Sequence, residues 1–193
     1  MDELEACLQT PRNIELNRLV ACTPEKISHY TDTLFPRLRE INAALRFGAD
    51  ETMLQPTINK KVLVPDVFNR PQLSDNSSFQ HLTAICTCNV LGDKFPLFII
   101  LHSLNKIPKD LKQFQENGEA VFASSPSGWQ TRDTFLYYAI CFVNWMSTFR
   151  IKLNSSIRNS KALLIMDGYK SRENPVALKI LKNLNIDVFI IPS

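Results

Sequence analysis

From residue 23 onward the apolar positions fall into segments of distinct period. Ile27, Tyr30, Leu34, Leu38 and Ile41 recur at three- and four-residue steps, which is one face of a helix. Thr23-Pro24-Glu25 can start that helix: a hydroxyl caps it, proline suits the first helical position, and the helix dipole favours the acid. Pro36 lies inside the run and predicts a kink or two short helices. The whole segment 1–42 reads as helical. Strand-like runs follow at 43–50 (AALRFGAD) and 60–66 (KKVLVPD). Residues 66–78, rich in Asp, Asn, Ser and Pro, read as a loop. The stretch 79–93 has Leu82, Ala84 and Cys86 at alternate positions and closes on Gly92-Asp93. An apolar run, KFPLFIILH, follows at once, so the two predict a hairpin. Residues 103–118 read as a loop or short helix, and 119–124 as a further short strand.

The period then changes. Thr131 can cap a helix over 132–152, with Phe135, Tyr138, Phe142, Trp145 and Phe149 on one face and Ala139, Val143 and Met146 widening it. So broad a stripe implies burial against a sheet. The run 161–168 (KALLIMDG) is continuously apolar, as in parallel strands covered on both faces. A helix at 173–184 and a last strand at 186–193 complete the pattern. Hairpins followed by βαβ crossovers predict an α/β fold, a mixed sheet with flanking helices.

A chain of 193 residues suits one domain with a substantial core. With 45% hydrophobic and 21% charged residues it is globular in class, not disordered. A net charge of +3 is compatible with nucleic acid without arguing for it. The five cysteines, Cys7, Cys22, Cys86, Cys88 and Cys141, are a poor disulfide framework and suggest a reducing compartment. Cys86 and Cys88 are too close for a zinc knuckle pair but share one face of a strand. The acidic first residues do not resemble a secretory signal, and no run approaches the ~20 apolar residues of a membrane span. An intracellular protein without a membrane partner is expected.

Two strands end alike on an acid: 43–50 delivers Asp50, followed by Glu51, and 161–168 delivers Asp167 before Gly168. Either aspartate alone is an ordinary turn or cap residue. If the strands are parallel neighbours, both acids stand at the carboxyl edge of the sheet, where ligands bind. Two carboxylates there repel, and a divalent cation relieves the strain. Mg²⁺ prefers oxygen ligands and takes one or two carboxylates beside substrate phosphates, and paired ions of this kind serve phosphoryl transfer. Lys60, Lys61, Arg70, Lys94, Lys170 and Arg172 are candidates for phosphate contact, with Lys170 and Arg172 foremost because they follow Asp167 closely. Trp129 and Trp145 read as packing residues, and His29, His81 and His102 lack ligand spacing. Neither a nucleophile elbow nor a glycine-rich phosphate loop occurs, which argues against a serine hydrolase or a P-loop enzyme.

Taken in order, these segments resemble the DDE superfamily endonuclease domain of pogo- and Tigger-type transposases, whose relatives include centromere protein B and jerky-like proteins. FGADET resembles the family's first acid motif, FQHLTAICTCNVLGDKFPLFIIL its central hairpin, SGWQTRDTFLYYAICFVNWM its Gly-Trp-x-Thr segment and helix, ALLIMDGYKSR its second acid motif and VFIIPS its last core strand. TPEKISHYTDTL is similar to the helix that often precedes the domain. The resemblance implies a ribonuclease-H-like fold over 43–193. It implies Mg²⁺ or Mn²⁺ held by Asp50 and Asp167 as the first two acids, with no small-molecule cofactor. It further implies DNA as the partner, homo-oligomeric action and a nuclear location. The implied activity is metal-dependent phosphodiester cleavage and strand transfer. The alternative is a non-catalytic nucleic-acid-binding or interaction protein of the same descent.

The sequence departs from the family pattern in three ways. The family's third acid follows a proline-rich stretch past the last strand and has no counterpart before Ser193, so the domain is expected to be incomplete at its C-terminus. Asp187 opens the last strand at the wrong end, and Glu173 reads as a helix cap. Arg172 stands where the family usually has His. The family's tandem helix-turn-helix module has no counterpart in the leading residues.

Overall fold

The computed structural model describes residues 23–54, 82–104 and 106–191. Lys60, Lys61 and Arg70, and the strand expected at 60–66 with its loop, lie outside the described residues, as do Cys7, Cys22 and His81.

Helix α1 (Pro24–Glu40) opens as the sequence predicts, with the Thr23 hydroxyl accepting from the Lys26 amide at 3.4 Å. It is a single helix of 17 residues and is not divided at Pro36. Pro36 and Asp32, whose carbonyl loses its amide partner to the proline, are both exposed, so water can take the lost bond. Leu34 and Ile41 enter the core, Tyr30 and Leu38 border it, and Ile27 stays half-exposed. Asn42 then caps a 3₁₀ turn, Ala43–Leu45, by accepting from the Ala44 amide at 3.0 Å. Strand β1 (Arg46–Leu54) therefore begins later than the apolar pattern suggested and runs past Asp50.

Strands β2 (Leu82–Asn89) and β3 (Leu97–His102) form the expected antiparallel hairpin, with Thr83 opposite Ile100. Asn89 builds the turn: its side-chain oxygen accepts from the Leu91 and Asp93 amides at 3.0 and 2.8 Å. Gly92 supplies the left-handed φ of 91° that the turn requires. Helix α2 (Lys109–Glu116) leads to β4 (Ala120–Ser125). Helix α3 (Arg132–Ile151) starts at a reciprocal cap between Thr131 and Thr134. A short α4 (Ser155–Arg158), β5 (Ala162–Met166), a 3₁₀ turn (Lys170–Arg172), α5 (Pro175–Asn183) and β6 (Ile186–Ile190) follow.

Among the described residues six strands lie in the order β4-β3-β2-β1-β5-β6. Only β2 is reversed; it pairs antiparallel with β1 and β3, while β3–β4, β1–β5 and β5–β6 are parallel. The carboxyl ends of β1, β3, β4, β5 and β6 therefore gather on one edge.

The α3 stripe packs on one face, with α5 beside it. Phe135, Tyr138, Phe142, Trp145 and Phe149 stack along the helix at 4.9–6.1 Å, and Phe47 meets Phe142 edge-on at 5.5 Å. Full burial of each such ring contributes roughly 2–3 kcal/mol. Trp145 belongs to this stack, whereas Trp129 is 44% exposed. On the other face α1 covers β6, with Tyr30 against Phe189 at 5.4 Å. Helix α2 brings Leu111, with Ile107 just before it, over Leu101, Ala120 and Phe122. Between these covers Gly48, Asp50, Cys86 and Cys88 are exposed, so the middle of this face is open among the described residues. Cys86 and Cys88 share that face, as their spacing predicts. No helix among the described residues is long and apolar enough to cross a membrane.

Candidate active site

The register of β1 on β5 runs from Arg46 opposite Leu163 to Ala49 opposite Met166. Asp50 is the next residue on β1, and Asp167 is the residue that follows the end of β5. The two strands are parallel neighbours, as the sequence condition required, but β1 does not end on its acid and continues to Leu54. On the other side of β1, Asp50 stands opposite Cys86. Asp50 is exposed, and its Oδ1 accepts from the Glu51 amide at 2.8 Å. The Asp167 side chain is 55% exposed.

Glu51 follows Asp50 and, by the alternation of a strand, faces the α3 side. There it meets Arg172, whose Nη2 donates to Glu51 Oε1 at 2.6 Å. Nη1 of the same guanidinium forms an ion pair with the Asp167 carboxylate and donates to the Asp167 carbonyl at 3.1 Å. Nε donates to Gln130 Oε1 at 3.2 Å, and the Ser171 hydroxyl donates to that same oxygen at 3.0 Å. The local sequence accounts for this placement. After Asp167 the chain makes its 3₁₀ turn, and Asn174 starts α5 by accepting from the Val176 and Ala177 amides. The turn folds Arg172 inward, where it is 1% exposed.

Arg172 is therefore not available to a phosphate, contrary to the sequence expectation; its charge is already matched inside the fold. Lys170, two residues earlier, is exposed. Lys94 is exposed too, but at the β2–β3 hairpin, the end of the sheet where β1 begins. Asp187 opens β6 opposite Leu163 and pairs with Arg37 at 3.3 Å, at the far end as expected. Glu173 does not cap α5; Asn174 does. Beneath the acids the Tyr138 hydroxyl bonds the Thr87 hydroxyl at 2.8 Å in full burial. Burial pushes the Tyr138 phenol well above its ordinary pKa, against smaller lowering effects of the Thr87 bond and the Arg172 charge. Glu51 and Gln130 drew no role from sequence reasoning. Period two alone would have turned Glu51 toward the helix layer, but no local signal marks Gln130.

Asp50 and Asp167 supply only hard oxygen donors, and each carboxylate retains solvent access. That donor set fits one hard divalent cation. No group of three or more His, Cys, Asp or Glu side chains among the described residues is arranged to hold a metal.

A mixed six-stranded sheet with its second strand reversed and helices on both faces is the ribonuclease-H-like fold of transposases. The chain belongs to the DDE superfamily endonuclease family, whose model matches residues 79–193, more than half its length. The match includes Asp167 and Arg172; Asp50 lies before it. Among solved structures, the Mos1 mariner paired-end complex with Mn is similar with a TM-score of 0.53 and 12% identity, over 100% of this chain and 48% of that one. A pre-cleavage Mos1 transpososome gives a TM-score of 0.53 and 10% identity over 100% and 47%. The Mos1 transposase paired-end complex with the left transposon end gives 0.51 and 11% over the same shares. The chain thus spans about half the length of these proteins. No curated protein matches its sequence.

Proposed function

We infer that this chain is a transposase-derived domain of the pogo/Tigger type that acts on DNA, with Asp50 and Asp167 as ligands of Mg²⁺ or Mn²⁺. The observation that supports this reading is the parallel β1–β5 register, whose last pair, Ala49 opposite Met166, lies one residue before each aspartate in a DDE-superfamily fold. The Mos1 complexes, one with a transposon end and another with Mn, support DNA and a divalent ion as the partners of this fold. When bound, the ion would supply Lewis-acid stabilisation of charge on a phosphodiester. Asp50 lies within β1 and Asp167 directly after β5, which supports the rigid placement such an arrangement requires. Lys170, exposed three residues after Asp167, offers a cation to the DNA backbone. Nuclear location and multimeric action accompany this reading.

The test is incubation of the purified chain with supercoiled plasmid and Mn²⁺ or Mg²⁺. Nicking that disappears in Asp50→Ala and in Asp167→Ala is expected; nicking that persists in both would sink the site. A second reading is favoured by one observation, the ion pair that already engages Asp167 with Arg172. On that reading the domain binds nucleic acid without cutting it, and the same assay yields salt-sensitive DNA binding and no nicks.

A further inference from the structure

We propose that Arg172 is a built-in cation of the carboxylate edge, which engages Asp167 and Glu51 in place of a divalent ion and so weakens metal binding at Asp50 and Asp167. The proposal rests on reading those two aspartates as metal ligands. Its basis is the distribution of the guanidinium's donors. One nitrogen serves the Asp167 carboxylate and carbonyl, a second serves Glu51, and Nε serves Gln130. Every nitrogen of the group is engaged, and the residue is 1% exposed.

A guanidinium keeps its charge at any working pH. It therefore opposes a divalent ion at Asp167 in two ways. It uses lone pairs of the carboxylate that the ion would need, and it sets a fixed positive charge beside the ion's position. Displacing it is unfavourable as well, because a buried cation that loses its carboxylate is left uncompensated. Glu51 is held by the same group, its Oε1 accepting from Arg172 at 2.6 Å with the side chain 18% exposed. The site can still take an ion through Asp50 and the solvent-facing part of Asp167, but weakly.

The experiment is Mn²⁺ titration of the full 193-residue chain, read by the loss of free-ion electron paramagnetic resonance signal and by calorimetry. The native chain is expected to bind Mn²⁺ with a Kd of about 1 mM or weaker. Arg172→Gln, which removes the charge but keeps a polar group near Gln130, should tighten binding by at least about tenfold. Arg172→Met, which keeps apolar volume, is the second variant; circular dichroism and a cooperative melt qualify each. Adding Asp50→Asn or Asp167→Asn to a tightened variant should abolish the gain.

If neither arginine variant binds tighter while Asp50→Asn still weakens Mn²⁺ binding, the role given to Arg172 is wrong and the site stands. If Asp50→Asn and Asp167→Asn leave Mn²⁺ binding unchanged in every background, the site itself is wrong and the proposal goes with it. Should both arginine variants fail to fold, the native constant decides: low-micromolar binding overturns the proposal, and millimolar binding upholds it.

Discussion

Two arginines are buried at opposite ends of the parallel strands, and their surroundings differ. Arg150, near the end of α3, is 7% exposed. Its Nη1 donates to the carbonyls of Arg158 and Ser160 at 2.7 Å each, and Nη2 to that of Leu184 at 3.3 Å. Those carbonyls precede β5 and β6, so Arg150 ties helix α3 to the amino edge of the sheet. Its charge meets only dipoles in these bonds, and burial lowers its pKa from the usual arginine value. Arg172, at the carboxyl edge, meets two carboxylates instead. The first arrangement closes loops through backbone carbonyls. The second joins a cation to acids that a ligand would also seek. The same side chain thus fastens the fold at one edge and sets the charge of the candidate site at the other.

The largest effect expected from this comparison is on stability at the amino edge. Arg150→Ala leaves three carbonyls without their donor and should cost about 3 kcal/mol in urea unfolding, while leaving Mn²⁺ affinity unchanged. A changed affinity would erase the distinction between the two ends. At the carboxyl edge the two aspartates should separate. Asp167→Asn deprives a buried guanidinium of a charged partner and should cost about 2 kcal/mol, reduced from the fully buried case because Asp167 is half-exposed. Asp50→Asn should stay within about 0.5 kcal/mol. Equal losses would mean that the ion pair does not discriminate between them.

Between the edges, Tyr138→Phe removes the buried bond to Thr87 and should cost about 1 kcal/mol. The raised phenol pKa of Tyr138 adds a pH dependence. Its stabilisation is complete below the unfolded tyrosine value of about 10 and declines as pH rises beyond it, because only the unfolded chain then loses the proton. The phenylalanine variant should show a flatter decline of the urea midpoint at alkaline pH. The smallest effect belongs to Lys170→Ala, which should leave stability within about 0.5 kcal/mol. If Lys170 touches DNA, that substitution also lowers the salt dependence of binding by about one phosphate contact.

Much of the scaffold under these predictions is legible in order along the chain. The α3 stripe, its Thr131 cap, the β2–β3 hairpin and the continuous apolarity of β5 each follow from side-chain period and capping chemistry, which are local properties. The parallel pairing of β1 with β5 is legible at one remove: the sequence supplies two apolar runs that each reach an acid, and the hypothesis that they are neighbours supplies the rest. Pro36 does not divide its helix, which local chemistry could not decide because it does not tell whether the carbonyl the proline deprives will face water. Arg172 misled for a related reason: a cation beside an acidic motif reads as exposed unless its partners are known.

What the sequence alone determined, then, is which segments become helix and strand, because backbone period and end-capping act within a few residues. What only the tertiary structure decided is which charges pair at the edge. Glu51 and Arg172 are 121 residues apart, and Gln130 reaches them from the start of a third element. Such a contact exists only once β1, β5 and the approach to α3 share one register, since an ion pair depends on distance in space and not on spacing along the chain.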